Sequence, residues 1–253
     1  MSSKTRFFKN FGLTNYRFGD YESPVLFNNL TQYVDIIDQI KDQTSFYNKY
    51  TIVSGERPDT LSQELYGTTD YYWTFYLMND QLRESGWPIL DHELEAYAKK
   101  RWPNRVVTSE APFATIFPVG QVVTGQTSGT TGKILKRNLD LGQLVIEADK
   151  NSAGVMNNFG DTEIIEYQEV DGSRITLRLV AETPQYLSVH HFEDSNGNFQ
   201  DINPHVDSSP SGLTPITNLD RLEKRNEELK QIIVLKPDAI VKVVGEFNKF
   251  MKG

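Results

Sequence analysis

The stretch Tyr71–Met78, YYWTFYLM, constrains the fold more than any other part of the chain, because Thr74 alone interrupts its apolar and aromatic side chains. At helical spacing such a segment is greasy around its whole circumference, and a helix of that kind has to be covered on more than one side. Burying each of these side chains is worth roughly 1.5–3 kcal/mol, so leaving several in water forfeits stability and invites association. One side can pack on the elements just before it. The other needs either more of this chain or another protein.

Those preceding elements read as strand, loop, helix and turn. Tyr50 to Val53 is β-branched or aromatic, and Gly55 with Pro58 breaks the strand. Thr60 and Gln63 have capping-box spacing, with Asp59 as a competing cap. Leu61 and Leu65 then share a helix face, Gly67 supplies a left-handed stop, and Asp70 is placed to cap the greasy helix.

This pattern (Tyr50, Val53, Gly55, Asp59-Thr60-Leu61, Leu65, Tyr66-Gly67, Leu77 and Asn79) resembles the LysM module, a small βααβ unit known mainly for binding N-acetylglucosamine polymers. A narrower pattern, Arg57-Pro58-Asp59, Leu61, Leu65-Tyr66-Gly67, Tyr72-Trp73, Asn79 and Gly86-Trp87, is similar to the LysM-like baseplate wedge proteins of T-even-type contractile phages. The similarity extends to the lead-in Phe46-Tyr47-Asn48-Lys49-Tyr50, to the Glu-rich stretch His92 to Arg101, and to the segment NEELKQIIVLKPDAIVKVVGEFNKFM, which ends at Met251. It implies a virion protein of the tail baseplate, made in the host cytoplasm, that joins neighbouring wedges in a six-fold assembly of wedge proteins, hub proteins and copies of itself. The alternative is a peptidoglycan-binding module. Against it, Glu56-Arg57-Pro58 is inserted where glycan-binding modules run from glycine straight into Asp-Thr-Leu, in the loop that forms one wall of the sugar groove.

Before this module lies a stretch rich in rings and basic residues, and Phe7, Phe8, Phe11, Tyr16 and Phe18 suit an extended arm docked on a neighbour. A helix is expected from Asn28 or Thr31 to Tyr47, on Leu30, Tyr33, Val34 and Ile37. Beyond the module, Asp91 can cap a helix running to Arg101. From Val106 to Val206 the period drops to two, and Asp171-Gly172 and Asn196-Gly197 mark tight hairpins. Residues 207–217 read as a linker. Asn218 or Asp220 then caps a charged helix, Gln231–Leu235 is a buried strand, and Ile240, Val243, Val244, Phe247, Phe250 and Met251 line one face of a last helix. A unit of about 50 residues holds little core, so the terminal segments are expected to pack on the module.

The expected class is therefore α+β, with five segments. Residues 1–27 form the arm, 28–104 carry flanking helices around a LysM-like βααβ core at 47–80, and 105–206 form a small antiparallel barrel or sandwich. The linker at 207–217 is followed by a helix-strand-helix at 218–253. Candidate partner contacts are the five arm residues above with Arg57, Tyr71, Tyr72, Phe75, Phe247 and Phe250.

Chemistry finds little footing. A net charge of −8 is poorly suited to gripping phosphate backbones, so nucleic acid is not an expected partner. Cysteine is absent, which removes disulfides and thiolate metal sites, and no apolar run approaches the ~20 residues that span a bilayer. The sequence from Gly125 to Lys133, GQTSGTTGK, looks like a phosphate loop but has Thr127 and Ile134 where the motif needs glycine and Ser or Thr, and a strand follows it. His190 and His191, being adjacent, are expected on opposite faces of a strand, and the four histidines have no ligand spacing. Asp194 to Asn198 lacks the closing glutamate of a calcium loop. Glycan hydrolysis would need a carboxylate pair such as Glu56 with Asp59 in a cleft that raises the pKa of one of them. No catalytic residue, cofactor or metal is expected.

Overall fold

The structure is a computed structural model that describes residues 12–17, 19, 23–28 and 44–252. In chain order the strands and helices begin with β1 (Leu13–Tyr16), β2 (Val25–Asn28), β3 (Tyr47–Thr51), α1 (Pro58–Tyr66), α2 (Trp73–Met78), α3 (Asp80–Ser85) and α4 (Leu94–Arg101). The middle of the chain supplies β4 (Arg105–Thr108), β5 (Val122–Gly125), β6 (Thr131–Asn138), β7 (Gln143–Ala148), β8 (Ile164–Gln168), β9 (Arg174–Arg178), β10 (Ala181–Pro184), β11 (Val189–Glu193), β12 (Phe199–Gln200) and β13 (Thr214–Thr217). Then come α5 (Asn218–Lys230), β14 (Gln231–Leu235) and α6 (Ile240–Lys252). The class is α+β, and the chain divides into two compact units, 1–91 with 225–253, and 92–224.

In the first unit the greasy segment is split. Thr69–Tyr71 is a 3-10 turn, capped by Thr68, whose hydroxyl accepts from Asp70 N–H, and α2 starts at Trp73 with no side-chain cap. Asp70 is therefore the residue capped, not the cap. The expected Thr60–Gln63 box is also absent, because α1 begins earlier, with Pro58 in its first turn and Arg57 at the N-cap making no side-chain capping bond. Proline needs no N–H there and its fixed φ suits the first turn. Gly67 ends α1 at φ 71°, as its position predicts.

Cover for α2 comes from this chain. Phe75 is fully buried with Leu61, Leu82, Leu229, Ile232 and Val234. Met78 packs with Leu235, Ile240 and Val243, and Trp73 lies against Phe247 of α6 with ring centres 5.1 Å apart. Thr74, the one polar residue, donates its hydroxyl to Tyr71 C=O at 2.7 Å. The segment after Asn79 does not return as a strand but forms α3. The strand that pairs with β3 is β14, antiparallel to it with Gln231 opposite Thr51 and Leu235 opposite Tyr47.

Two other expectations for this unit change. The 28–47 helix lies largely outside the described residues, and its last part is a 3-10 turn at Thr44–Phe46 leading into β3. In the region expected as an arm, Leu13–Tyr16 and Val25–Asn28 pair antiparallel as β1 and β2, and most of the remaining residues lie outside the described ones.

The second unit is organised by a seven-stranded antiparallel sheet in the order β10-β4-β7-β6-β5-β8-β9. Its two edge strands follow one another in sequence: Leu179 N–H bonds Glu163 C=O and Val180 N–H bonds Thr108 C=O, so one stretch of chain serves both ends of a curled sheet. No ladder joins β9 to β10, and the barrel stays open. Inside the curl lie Val107, Phe113, Phe117, Val123, Ile134, Leu144, Ile146, Ile165 and Leu177. Phe117 has φ 56°, a conformation that costs a non-glycine residue about 1–3 kcal/mol, and complete burial of its ring edge-on to Tyr167 compensates. A three-stranded sheet, β12-β11-β13, completes the unit. Both predicted hairpin turns are present, with Gly172 at φ 89° and Gly197 at φ 78°. The stretch 207–217, read as linker, ends in β13. The cap of α5 is Thr217, one residue earlier than expected: its hydroxyl accepts from Asp220 N–H, and the Asp220 carboxylate accepts from Thr217 N–H.

Candidate functional site

The inserted loop of the first unit is closed on itself. Tyr50 donates its hydroxyl to Glu56 at 2.7 Å, Val53 N–H donates to the same carboxylate at 3.1 Å, and Trp87 Nε1–H donates to Glu56 C=O at 2.7 Å. Burial, then the bonded Glu56 carboxylate, pushes the Tyr50 hydroxyl up to about 12. Arg57 turns outward and pairs with Asp59 at 3.1 Å. Glu56 and Asp59 thus have different partners and do not form an acid–base pair across a cleft.

The unit also carries a set of half-buried rings, its aromatic rim. Tyr66 sits 5.9 Å from Tyr71, edge-on, and 6.1 Å from Phe75, while Trp87 lies 6.0 Å from Tyr76. Of the candidate contact residues, Tyr71 and Tyr72 belong to this rim and keep partial exposure, and Arg57 is exposed. Phe75 is 0% exposed and Phe247 4%, so in this conformation both serve the core and offer no surface to a partner. Tyr16 is 57% exposed on β1. Phe7, Phe8, Phe11 and Phe18 lie outside the described residues, as does the side chain of Phe250.

Three polar side chains complete the unit, and their roles depend on β14. Asn79, 4% exposed, accepts from Ile233 N–H and donates to Ile233 C=O, both at 2.8 Å. Gln81 Nε2–H donates to Gln231 C=O at 3.1 Å, and the Tyr66 hydroxyl donates to Leu235 C=O at 2.9 Å. Burial pushes the Tyr66 hydroxyl far above its ordinary range. On α5, buried Asn226 does the same for Ile89, meeting its N–H at 2.8 Å and its C=O at 2.9 Å.

In the second unit the phosphate-loop look-alike does hold an anion, one from its own chain. The Glu163 carboxylate, on a residue 7% exposed, accepts from Thr127 N–H, Ser128 N–H, Ser128 Oγ–H and Gly160 N–H. Burial alone would raise this carboxyl; the four donors outweigh it and hold it below its ordinary value. Gly125 is needed for that approach, since a Cβ there would lie 2.6 Å from the carboxylate. The loop is therefore filled.

His190 and His191 do not point apart. The ladder slips between Val189 and His191, and this bulge brings the two Nδ1 atoms within 3.0 Å. Arg221 can only donate to His190 Nε2, at 3.0 Å, and Glu193 can only accept from His191 Nε2, at 3.1 Å. His190 then accepts at Nε2 and has its Nδ1–H to give to His191 Nδ1. Burial, with Arg221, His191 and Lys136 nearby, pulls the His190 pKa down. The pair lines a polar cavity of about 620 Å³ together with Lys136, Asn138, Asp201 and Arg221. Asp194 is a turn residue, accepting from Asn196 and Asn198 N–H. Among the described residues no group of three His, Asp or Glu side chains is placed to hold a metal, and no helix is long and apolar enough to cross a membrane.

Residues 14–93 match the family model of Base plate wedge protein 53. That wedge-protein match takes in the β1–β2 hairpin, β3, the closed loop, α1 to α3 and the ring rim. Of the candidate contact residues, Tyr16, Phe18, Arg57, Tyr71, Tyr72 and Phe75 fall inside it. The curled sheet, β14 and α6 fall outside. The match supports a structural role in a phage baseplate, with assembly onto other baseplate proteins in the virion tail. No curated protein sequence matches the chain.

Proposed function

We propose that this protein is a structural component of the wedge in a contractile phage tail baseplate, and that it joins neighbouring wedges through the two-helix unit and the segments that flank it. The observation that carries the reading is the wedge-protein match over residues 14–93, which falls on a unit whose loop is internally bonded and whose outward features are rings and a hairpin. Half-buried aromatic residues with an arginine nearby are what well-packed protein contacts favour. Partners are other wedge and hub proteins and further copies of this chain in a ring, and the role is mechanical, with no catalytic step. The net charge of −8 favours solubility before assembly.

Co-expression with the other wedge proteins of the same particle tests this. A stable complex that Tyr71→Ala with Tyr72→Ala weakens, at unchanged melting temperature, is the expected result. A chain that stays monomeric beside those proteins yet is retained on insoluble peptidoglycan would replace the reading with glycan binding.

A further inference from the structure

The two-stranded sheet of the first unit treats its two edges differently. Along β14 most of the outward groups are occupied by side chains: Asn79 takes both N–H and C=O of Ile233, Gln81 takes Gln231 C=O, and Tyr66 takes Leu235 C=O. Since Gln231, Ile233 and Leu235 turn their backbone groups away from β3, the residues opposite them, Thr51, Lys49 and Tyr47, must turn theirs away from β14. The ladder agrees: Ile52 N–H bonds Lys230 C=O and Lys236 N–H bonds Phe46 C=O, so the even-numbered residues face inward. Among the described residues nothing meets the outward N–H and C=O groups of Tyr47, Lys49 and Thr51. An edge left open opposite one capped by side chains is a template for an added strand.

Among the described residues, the same unit carries two strands that join no larger sheet. The β1–β2 hairpin stands as a two-stranded sheet of its own, with Leu13 67%, Val25 48% and Leu26 63% exposed. An isolated hairpin is marginal in water and gains from a third strand. We propose that the β3 edge of one copy receives the hairpin of a second copy, extending the sheet across the boundary between subunits. The contact is head-to-tail, with one copy giving a hairpin and receiving another, and such a contact closes into a ring when the rotation permits. This inference rests on the assembly reading above and names the surface through which copies meet.

Lys49→Pro removes an outward donor and leaves the inward ladder intact, so it tests the edge. Leu13→Asp with Leu26→Asp tests the hairpin without touching β3. Sedimentation velocity of the full chain over a concentration series should show self-association in the parent, weakened at least about tenfold in either variant. Mixing the two variants should restore a single heterodimer, because one retains the edge and the other the hairpin. If Lys49→Pro unfolds the unit, the hairpin variant and its mixture with the parent decide: the variant must lose self-association and still receive the parent's hairpin. A parent monomeric at every concentration overturns the proposal, as does self-association that the hairpin changes leave unaltered. Slow hydrogen exchange at Lys49 in a monomer also overturns it, by showing the edge filled within one chain. Binding to other wedge proteins without binding to itself sinks this inference and leaves the assembly reading standing.

Discussion

The two units reach stability by opposite routes. In the curled sheet, half of the pairings join strands consecutive in sequence, β5 with β6, β6 with β7 and β8 with β9, and one apolar interior serves them all. In the two-helix unit the sheet pairs Thr51 with Gln231, 180 positions apart, and β14 and α6 cover the greasy helix from the far side of the intervening unit's sequence. Local pairing closes small loops one at a time, whereas distant pairing has to be specified by features that recognise the late-arriving strand. Asn79, Gln81 and Tyr66 are those features. The comparison teaches that the few polar side chains of the small unit carry structural weight that the large unit spreads over its ladders.

The largest effect that would sharpen this contrast is a cavity. Phe75→Ala should cost about 3–5 kcal/mol, and hydrogen exchange should show the loss confined to residues 44–91 and 225–252 while the curled sheet keeps its protection. If both units loosen together, they are not separate in stability. Next is the internal anion. Glu163→Ala strands three backbone N–H groups and should cost about 2–4 kcal/mol in the curled sheet. The folded carboxyl titrates below its ordinary 4.5, so its contribution is complete above that pH and is lost as pH falls through the folded value. Acid titration should therefore weaken the curled sheet of the parent more than that of the variant, and identical acid profiles would remove Glu163 from the account.

A smaller loss is expected from Asn79→Ala, about 1–3 kcal/mol, because both groups of Ile233 lose their partner. Denaturant midpoints for the small unit measure it, and a neutral result would mean that water replaces the amide and that the edge needs no cap. Arg57→Ala should change stability by less than about 0.5 kcal/mol, since its pair with Asp59 is exposed. A large change there would assign the inserted loop a folding role that its outward arginine does not suggest.

What the sequence made legible follows the range of the interaction. Gly67, Gly172 and Gly197 were readable because a left-handed turn is a property of one residue and its neighbours. The all-round apolar character of α2 announced cover on several sides, and Ile240, Val243 and Phe247 supplied part of it at the spacing expected. The start of α1 was misread because a plausible Thr60–Gln63 box outweighed the simpler signal of Pro58. His190 and His191 were misread because alternation assumes an unbroken ladder, and the bulge at that point leaves no mark in composition. Glu163 in its loop and Asn79 against β14 were out of reach: each depends on a partner brought near by the fold, 35 and 154 positions away. The rim tyrosines were named as contacts for their chemistry, and Phe75, of the same chemistry, went to the core because one face of a helix must.

The distance between β3 and β14 also sets a timetable on the ribosome. At roughly 5–20 residues per second, the strand that completes the small sheet emerges about ten to forty seconds after the strand it pairs with. During that interval the rings of α2 have no lid, and the curled sheet can already be finished. The two-stranded β3–β14 sheet thus comes into being last, and it stays incomplete until translation has passed Leu235.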